Sequence, residues 1–426
     1  LQATRVDLVT GLKEGGRSVG GGGGGGRRRG WRGRLHLGRA LVVAQIGLSL
    51  LLLVGAGLFV RSLQNLAAVE TGFARDHLLM VSMNSRVLPY DKPHLLRLYE
   101  RLVTRVEAIP GVRSASLSIY GLLSGSVRTS NVVVPGRDPR AQGEDVQRLL
   151  VTPRYLETVG MHLLAGRDFT PSDREGASKV AIVNESMARR YFPGKTEGAL
   201  GRRFGFGDVA NSHDLEIVGV VRDARYNDLR ETPPPMTYLP VAQDVDTLRD
   251  LEVRTVSADT GPVAAVLRRA IAEVEPNLPV TRIVTIGEQI DRSLAQERAI
   301  ARLTGFFGLL SLLLAAIGLY GVVSYNVARR TNEIGLRMAL GARRGTVLGL
   351  ILREITQLLL LGVVAGLAAS LVAIRLASHQ LFGLSAYDPA TLLMAAFLMT
   401  LVALFAGFLP ARRAAGTDPM AALRYE

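Results

Sequence analysis

Cysteine is absent from the 426 residues, tryptophan occurs once, histidine six times, and aromatic residues make up only 6% of the chain. The missing thiols exclude disulfide frameworks, thiolate zinc sites, iron-sulfur clusters and cysteine nucleophiles, so any exported domain must stand on its own core. The histidines, His36, His77, His94, His162, His213 and His379, never recur at H-x-x-x-H spacing, and surface or core roles outweigh metal ligation. Phosphate-binding loops are missing too. Gly194-Lys195-Thr196 resembles the end of one, but Arg189 stands where its first glycine is needed and no strand runs directly into it. Gly16-Arg17-Ser18-Val19-Gly20 has the lettering of a nucleophile elbow, yet it opens a tract of seven glycines rather than a strand-to-helix turn. Asp168, Asp173 and Glu175 cluster in a loop where solvated charge is the expected role.

What the chain has in quantity is apolar length. Hydrophobic residues make up 48% of it, and charge is missing altogether from residues 40–60, 303–328, 355–374 and 389–411. About 20 apolar residues in a helix rising roughly 1.5 Å per residue cross a hydrocarbon core about 30 Å thick. The four windows therefore predict four transmembrane helices. The first is too long for a cleaved signal peptide, and Arg61, Ser62 and Leu63 follow it instead of a cleavage site.

The net charge of +14 is unevenly spread. Residues 1–39 hold nine basic against two acidic side chains, residues 300–426 eleven against five, and residues 41–299 are nearly neutral. Lys and Arg in short flanks stay on the side of synthesis. The arm before the first window (Arg27, Arg28, Arg29, Arg32, Arg34, Arg39), the link between the second and third (Arg329, Arg330, Arg337, Arg343, Arg344) and the tail (Arg412, Arg413, Arg424) all fall inside if the four spans alternate in direction. Both termini are then cytoplasmic and the long neutral segment is extracytoplasmic. The Gly/Arg tract of residues 15–34 reads as a lipid-headgroup arm, with Trp31 as an interfacial anchor, in preference to a nucleic-acid segment.

The neutral segment reads as an α+β domain. A strand-like stretch around Val81 leads to a helix over about 93–109 with Leu95, Leu98, Leu102 and Val106 at helical spacing, then Pro110-Gly111, then a strand over 114–120. The pattern recurs as strand 251–256, helix 262–274 and strand 280–286. Two such units pack as one split βαβ sheet, which makes residues of about 135–246 an inserted second lobe with strands at 180–183 and 215–221 and a Pro233-Pro234-Pro235 turn. Beyond Ile286 the helical pattern continues through Ile290, Leu294 and Ala301 toward the second span as a stalk.

The chain thus reads as a multi-pass membrane α+β protein. It comprises a basic, glycine-rich arm (1–39), a first span (40–60), a two-lobed extracytoplasmic domain with its stalk (61–302), a second span (303–328), a cytoplasmic link (329–354), third and fourth spans (355–374 and 389–411) and a cytoplasmic tail (412–426).

Within the link, a helix places Arg330, Glu333 and Arg337 along one face, lets Glu333 pair with Arg337 at i,i+4, and sets Ile334 and Met338 in an apolar ridge beside them. Such a helix lies on lipid or docks into a partner's groove. Periodicity alone favours lipid.

The stretch Asn332-Glu333-Ile334-Gly335-Leu336-Arg337-Met338-Ala339-Leu340-Gly341-Ala342 resembles the E-I-G-x-R-x-A-x-G-A signature of FtsX-like and MacB-like ABC transporter permeases. The tail around Pro410, Arg412, Arg413 and Asp418-Pro419 is similar to that family's ending, and Tyr155-Leu156, Gly160 and Gly166-Arg167-Asp168-Phe169 to its periplasmic lobe. The resemblance implies a permease that carries no ATPase and binds no cofactor, ATP and Mg residing on a separate ATP-binding cassette subunit. It assigns contact with that subunit to Glu333, Ile334, Gly335, Arg337, Met338, Ala339, Gly341 and Ala342. It also implies a second permease unit as partner, admits a periplasmic adaptor, and puts the chain in the bacterial cytoplasmic membrane, exporting or extracting a substrate. Regulation of a cell-wall hydrolase is the alternative within the family; a membrane-tethered sensor or enzyme is the alternative outside it. Asp7-Leu8-Val9-Thr10-Gly11-Leu12-Lys13 repeats the spacing of Asp418-Pro419-Met420-Ala421-Ala422-Leu423-Arg424, from which we expect the second half of a tandem-duplicated permease.

Overall fold

The computed structural model describes residues 27–137, 145–194, 196–340, 344–377 and 388–415. Helix α1 (Arg27–Ala67) holds no proline or acidic residue to interrupt it, and its part Gly38–Ala67 is long and apolar enough to cross a membrane. A strand β1 (Leu78–Met83), helix α2 (Lys92–Glu107) and strand β2 (Val112–Ser118) follow. Helix α2 begins where the Asp91 side chain accepts the His94 backbone N–H at 3.0 Å, with Pro93 in the first turn. It buries Leu95, Leu98, Leu102 and Val106. Gly111, at φ +91°, then supplies the left-handed turn into β2.

Next come β3 (Arg128–Ser130), β4 (Val132–Val133), β5 (Val146–Val151), α3 (Tyr155–Val159), β6 (Leu163–Gly166), β7 (Val180–Asn184), α4 (Glu185–Tyr191), β8 (Arg203–Phe206), β9 (Leu215–Val221) and β10 (Met236–Pro240). The chain returns through β11 (Asp250–Thr255), α5 (Gly261–Val274), β12 (Val280–Thr285) and α6 (Ile286–Ser293). Strands β12, β1, β11 and β2 lie side by side in that order, each antiparallel to its neighbour, as a split βαβ sheet. The path continues from β2 through β5, β10, β7, β9 and β8 to β4. The residues between β2 and β11 therefore extend the first sheet instead of building a separate one. Ser118 pairs with Val151, and Leu117 N–H donates to Thr152 Oγ1 at 2.8 Å, which satisfies backbone groups that an open β2 edge would leave unpaired.

The first sheet has two unlike faces. Leu79, Val81, Leu251, Val253, Ala115 and Leu117 are buried apolar residues on one of them, and α2 packs against α5 and β2. Alternation puts Ser82, Ser114, Ser116, Ser118, Asp250 and Glu252 on the other. That polar face is buried too, with α3 packed on β2 and β11 and Thr158 donating to Ser114 Oγ at 3.1 Å.

The remaining helices are α7 (Ala295–Arg329), α8 (Thr331–Ala339), α9 (Arg344–Ala377) and α10 (Pro389–Ala415). With α1, the helices α7, α9 and α10 make four candidate membrane spans, each wider than its charge-free window. The chain is a multi-pass membrane protein with a large α+β domain between its first and second spans. The stalk pattern is interrupted: α6 closes at Leu294, and α7 starts afresh at Ala295 and then runs past Gly305 without a break. The chain divides into two compact units, Phe59–Arg302 and the helices on either side of it in sequence.

In the membrane unit, Val42, Ile46, Leu50, Val54, Leu319, Ile355 and Met399 share one core. A Cβ on Gly366 would stand 2.9 Å from the Gly47 carbonyl oxygen, and one on Gly47 3.5 Å from that of Gly362. Backbones of α1 and α9 approach this closely because small residues recur four apart. Polar groups inside the span are satisfied by carbonyls: Gln45 donates to Leu314 O at 2.6 Å and Ser49 to Ser311 O at 2.9 Å.

Candidate coupling site

At Arg330 the backbone leaves helical geometry (φ −102°, ψ 11°), so the nine residues of α8 start a new helix after α7. Arg337 donates to Glu333 at 2.6 Å, four residues away. Arg330, Glu333, Ile334 and Arg337 line a cleft together with Val323 and Val327 of α7 and Val347, Ile351 and Glu354 of α9. The charged residues thus border this cleft while Glu333 and Arg337 stay about half exposed. Ile334 and Met338 are half-buried. The apolar side chains that stand clear are Leu336, 53% exposed, and Leu340, 81% exposed, four residues apart. Gly335 and Ala339 lie within α8, whereas Gly341 and Ala342 fall outside the described residues.

Two of the lining residues, Arg330 and Glu354, belong to an ion-pair triad with Arg39. Glu354 Oε2 accepts from Arg330 at 3.3 Å, and Oε1 accepts from Arg39 of α1. Glu354 is 22% exposed, and neither it nor Arg39 enters a reading of the link by itself. The signal was present: each bounds a charge-free window at the same end of its helix. Leu336 and Leu340 escape a reading that looks for charge and apolar ridge on one face, although their i,i+4 spacing marks a second ridge.

Elsewhere, the acidic cluster differs from its expected role. Asp173 is buried and clamped by the Arg167 guanidinium through contacts of 2.7 and 2.8 Å, which hold its carboxyl below the usual range. Asp168 instead has its carboxyl pushed up by burial, and only Glu175 is exposed. Arg167 and Asp173 pin a loop in place. Among the described residues no group of three or more His, Asp or Glu side chains is arranged to hold a metal.

Two family models match: the MacB-like periplasmic core domain over residues 40–296 and the FtsX-like permease C-terminal over residues 305–419. The chain is 28% identical over 281 residues to the uncharacterized ABC transporter permease YknZ of Bacillus subtilis, covering 64% of this chain and 68% of that one. It is 27% identical over 318 residues to the macrolide export ATP-binding/permease protein MacB of Bradyrhizobium diazoefficiens, covering 70% of this chain but only 44% of that protein. The periplasmic region of MacB from Actinobacillus actinomycetemcomitans aligns over 53% of this chain and 94% of its own at 15% identity and a TM-score of 0.37. With the core-domain model spanning more than half of the residues and the permease model covering the helices after it, the chain belongs to the FtsX-like, MacB-like family of ABC transporter permeases.

Proposed function

We propose that this chain is the permease component of an ABC transporter in the bacterial cytoplasmic membrane, converting ATP hydrolysis on a separate subunit into motion of its α+β domain. ATP and Mg are bound by that subunit. The basic arm, α8 and the tail face the cytoplasm, where Arg-rich flanks are retained. The observation that carries the reading is the short helix α8, set off from α7 at Arg330, with Leu336 on it and Leu340 at its C-terminal cap both exposed. Two leucines one turn apart are an anchor for an apolar groove, and Glu333 and Arg337 stand at its rim. Helices α1 and α7 each contain residues of both compact units and are the segments of chain through which motion at their cytoplasmic ends would reach the α+β domain. A second permease unit completes the assembly, and the cargo is a substrate exported or extracted from the outer leaflet or periplasm.

The test is co-purification of the ATP-binding subunit with the chain from native membranes, with the ATPase rate measured in the same membranes. Truncating a buried apolar anchor costs more than about 1 kcal/mol of binding, while a rim charge costs little. Leu340→Ala is expected to weaken association more than Arg337→Ala, and Leu336→Asp with Leu340→Asp to abolish it. Unchanged association and rate in that double variant, with normal insertion, would return α8 to a lipid-surface role.

A further inference from the structure

The charge-free windows in α1, α7 and α9 end, on the side of α8, at Arg39, at Arg329 and Arg330, and at Glu354. In the fold Arg39, Arg330 and Glu354 meet. We propose that Glu354 is a positioning residue, an ionic latch holding the α7–α8 junction to α1 and α9 so that these helices move as one.

Charges at the edge of a membrane span ordinarily reach outward to water or headgroups. Here two of them share one carboxylate. One Glu354 oxygen serves Arg39 and the other serves Arg330, so a single side chain joins elements 315 and 24 residues away in sequence. Glu333 is engaged by Arg337, and among the described residues Glu354 is the carboxylate paired with both Arg39 and Arg330. The site borders Val323, Val327, Ile351 and Ile355, and apolar walls strengthen an ion pair relative to open solvent. Among the described residues, removing the carboxylate leaves two guanidinium groups with like charge and no acidic partner recorded between them. The latch is then lost from both sides at once. Arg330 is also the residue where α7 gives way to α8, so whatever fixes Arg330 fixes the direction in which α8 points.

The consequence for coupling rests on the docking role of α8; the consequence for geometry does not. Because the chain has no cysteine, Leu41→Cys and Leu336→Cys introduce a unique pair for spin labels at two exposed positions. The α1–α8 distance distribution is read in lipid nanodiscs without the ATP-binding subunit. We expect a narrow distribution that broadens in Glu354→Gln and in Arg39→Gln. The charge-inverted triple Arg39→Glu, Arg330→Glu, Glu354→Arg should narrow it again, which a purely steric role of Glu354 would not do. If Glu354→Gln fails to insert, Arg39→Gln opens the same pair and decides the matter. In the assembled complex, with Leu41 and Leu336 restored, Glu354→Gln should lower the permease-dependent ATPase rate about fivefold or more, and the triple should recover it. Unchanged distance distributions in both single variants overturn the latch; a broadened distribution with an undiminished rate, where Leu336→Asp with Leu340→Asp does detach the ATP-binding subunit, overturns its part in coupling. If the docking role is what fails, Leu336→Asp with Leu340→Asp leaves the ATP-binding subunit attached while the distance result stands.

Discussion

Glu252 is shut off from bulk solvent. It sits on β11 between Met80 and Ser116, fully buried, and its Oε1 lies 2.6 Å from Ser118 Oγ. Ser118 Oγ is also 3.0 Å from the Tyr120 carbonyl oxygen. One hydroxyl hydrogen cannot serve both acceptors, so a protonated Glu252 donates to Ser118 and Ser118 donates to Tyr120. Tyr226 likewise donates to Tyr120 O, and Tyr155 donates to Tyr226 at 2.6 Å, completing a chain of buried polar groups. Burial, then the nearby Asp250 carboxylate, pushes the Glu252 carboxyl well above its ordinary 4.5. Above that ordinary value the folded chain therefore holds a proton that the unfolded chain has lost, and stability falls as pH rises until the folded group also ionises. Glu252→Gln keeps the donor and removes the titration. Thermal unfolding of the detergent-solubilised chain from about pH 5 to about pH 9 should show a flatter profile and a higher midpoint at the alkaline end for this variant; an unaltered slope would mean that Glu252 is ionised in the fold.

Among the helices, the contact of α1 with α9 depends on the absence of side chains. A Cβ at position 366 would meet backbone atoms of Gly47 at 2.9 and 3.0 Å, and backbone cannot rotate away as a side chain can. Gly366→Leu should force α1 and α9 apart at a cost of roughly 1–3 kcal/mol, the usual penalty of overpacking. Gly349, on the same helix, has nothing within 4 Å of its Cβ position, so Gly349→Ala should be neutral or slightly stabilising. Thermal aggregation in mild detergent compares the two, and equal behaviour would argue against a tight α1–α9 crossing. The sequence signal for this contact was only the recurrence of glycine four apart in an apolar window. The amphipathic link was legible as a helix, but not the way it faces: a helical wheel supplies two ridges and no neighbour to choose between them.

At the scale of the whole molecule, the four spans and the α+β domain between the first two define a topology that reporter fusions can read. Signals near Gly20, Gly341 and Thr417 are expected inside, and near Gly136, Gly207 and Ala386 outside, because Arg-rich flanks stay on the side of synthesis. An inside signal at Gly207 would invert the assignment for the entire domain.

The sequence by itself determined the features that depend on neighbours along the chain. Charge-free windows of residues 40–60, 303–328, 355–374 and 389–411 became long helices, since a span is a local property of composition and length. The periodicity of Leu95, Leu98, Leu102 and Val106 and the recurring strand-helix-strand pattern were legible for the same reason. Tertiary structure alone decided which side chains meet. Asp173 is clamped by Arg167 where a solvated loop was expected, the second lobe continues the edge of β2 instead of standing apart, and Leu336 and Leu340 face outward while Ile334 lines a cleft. Arg39 and Glu354, 315 residues apart, look like unrelated ends of two helices until packing sets those ends side by side. Pairing of that kind is set by the backbone approach at Gly47, Gly362 and Gly366, and no window short enough to show a helical period contains both partners.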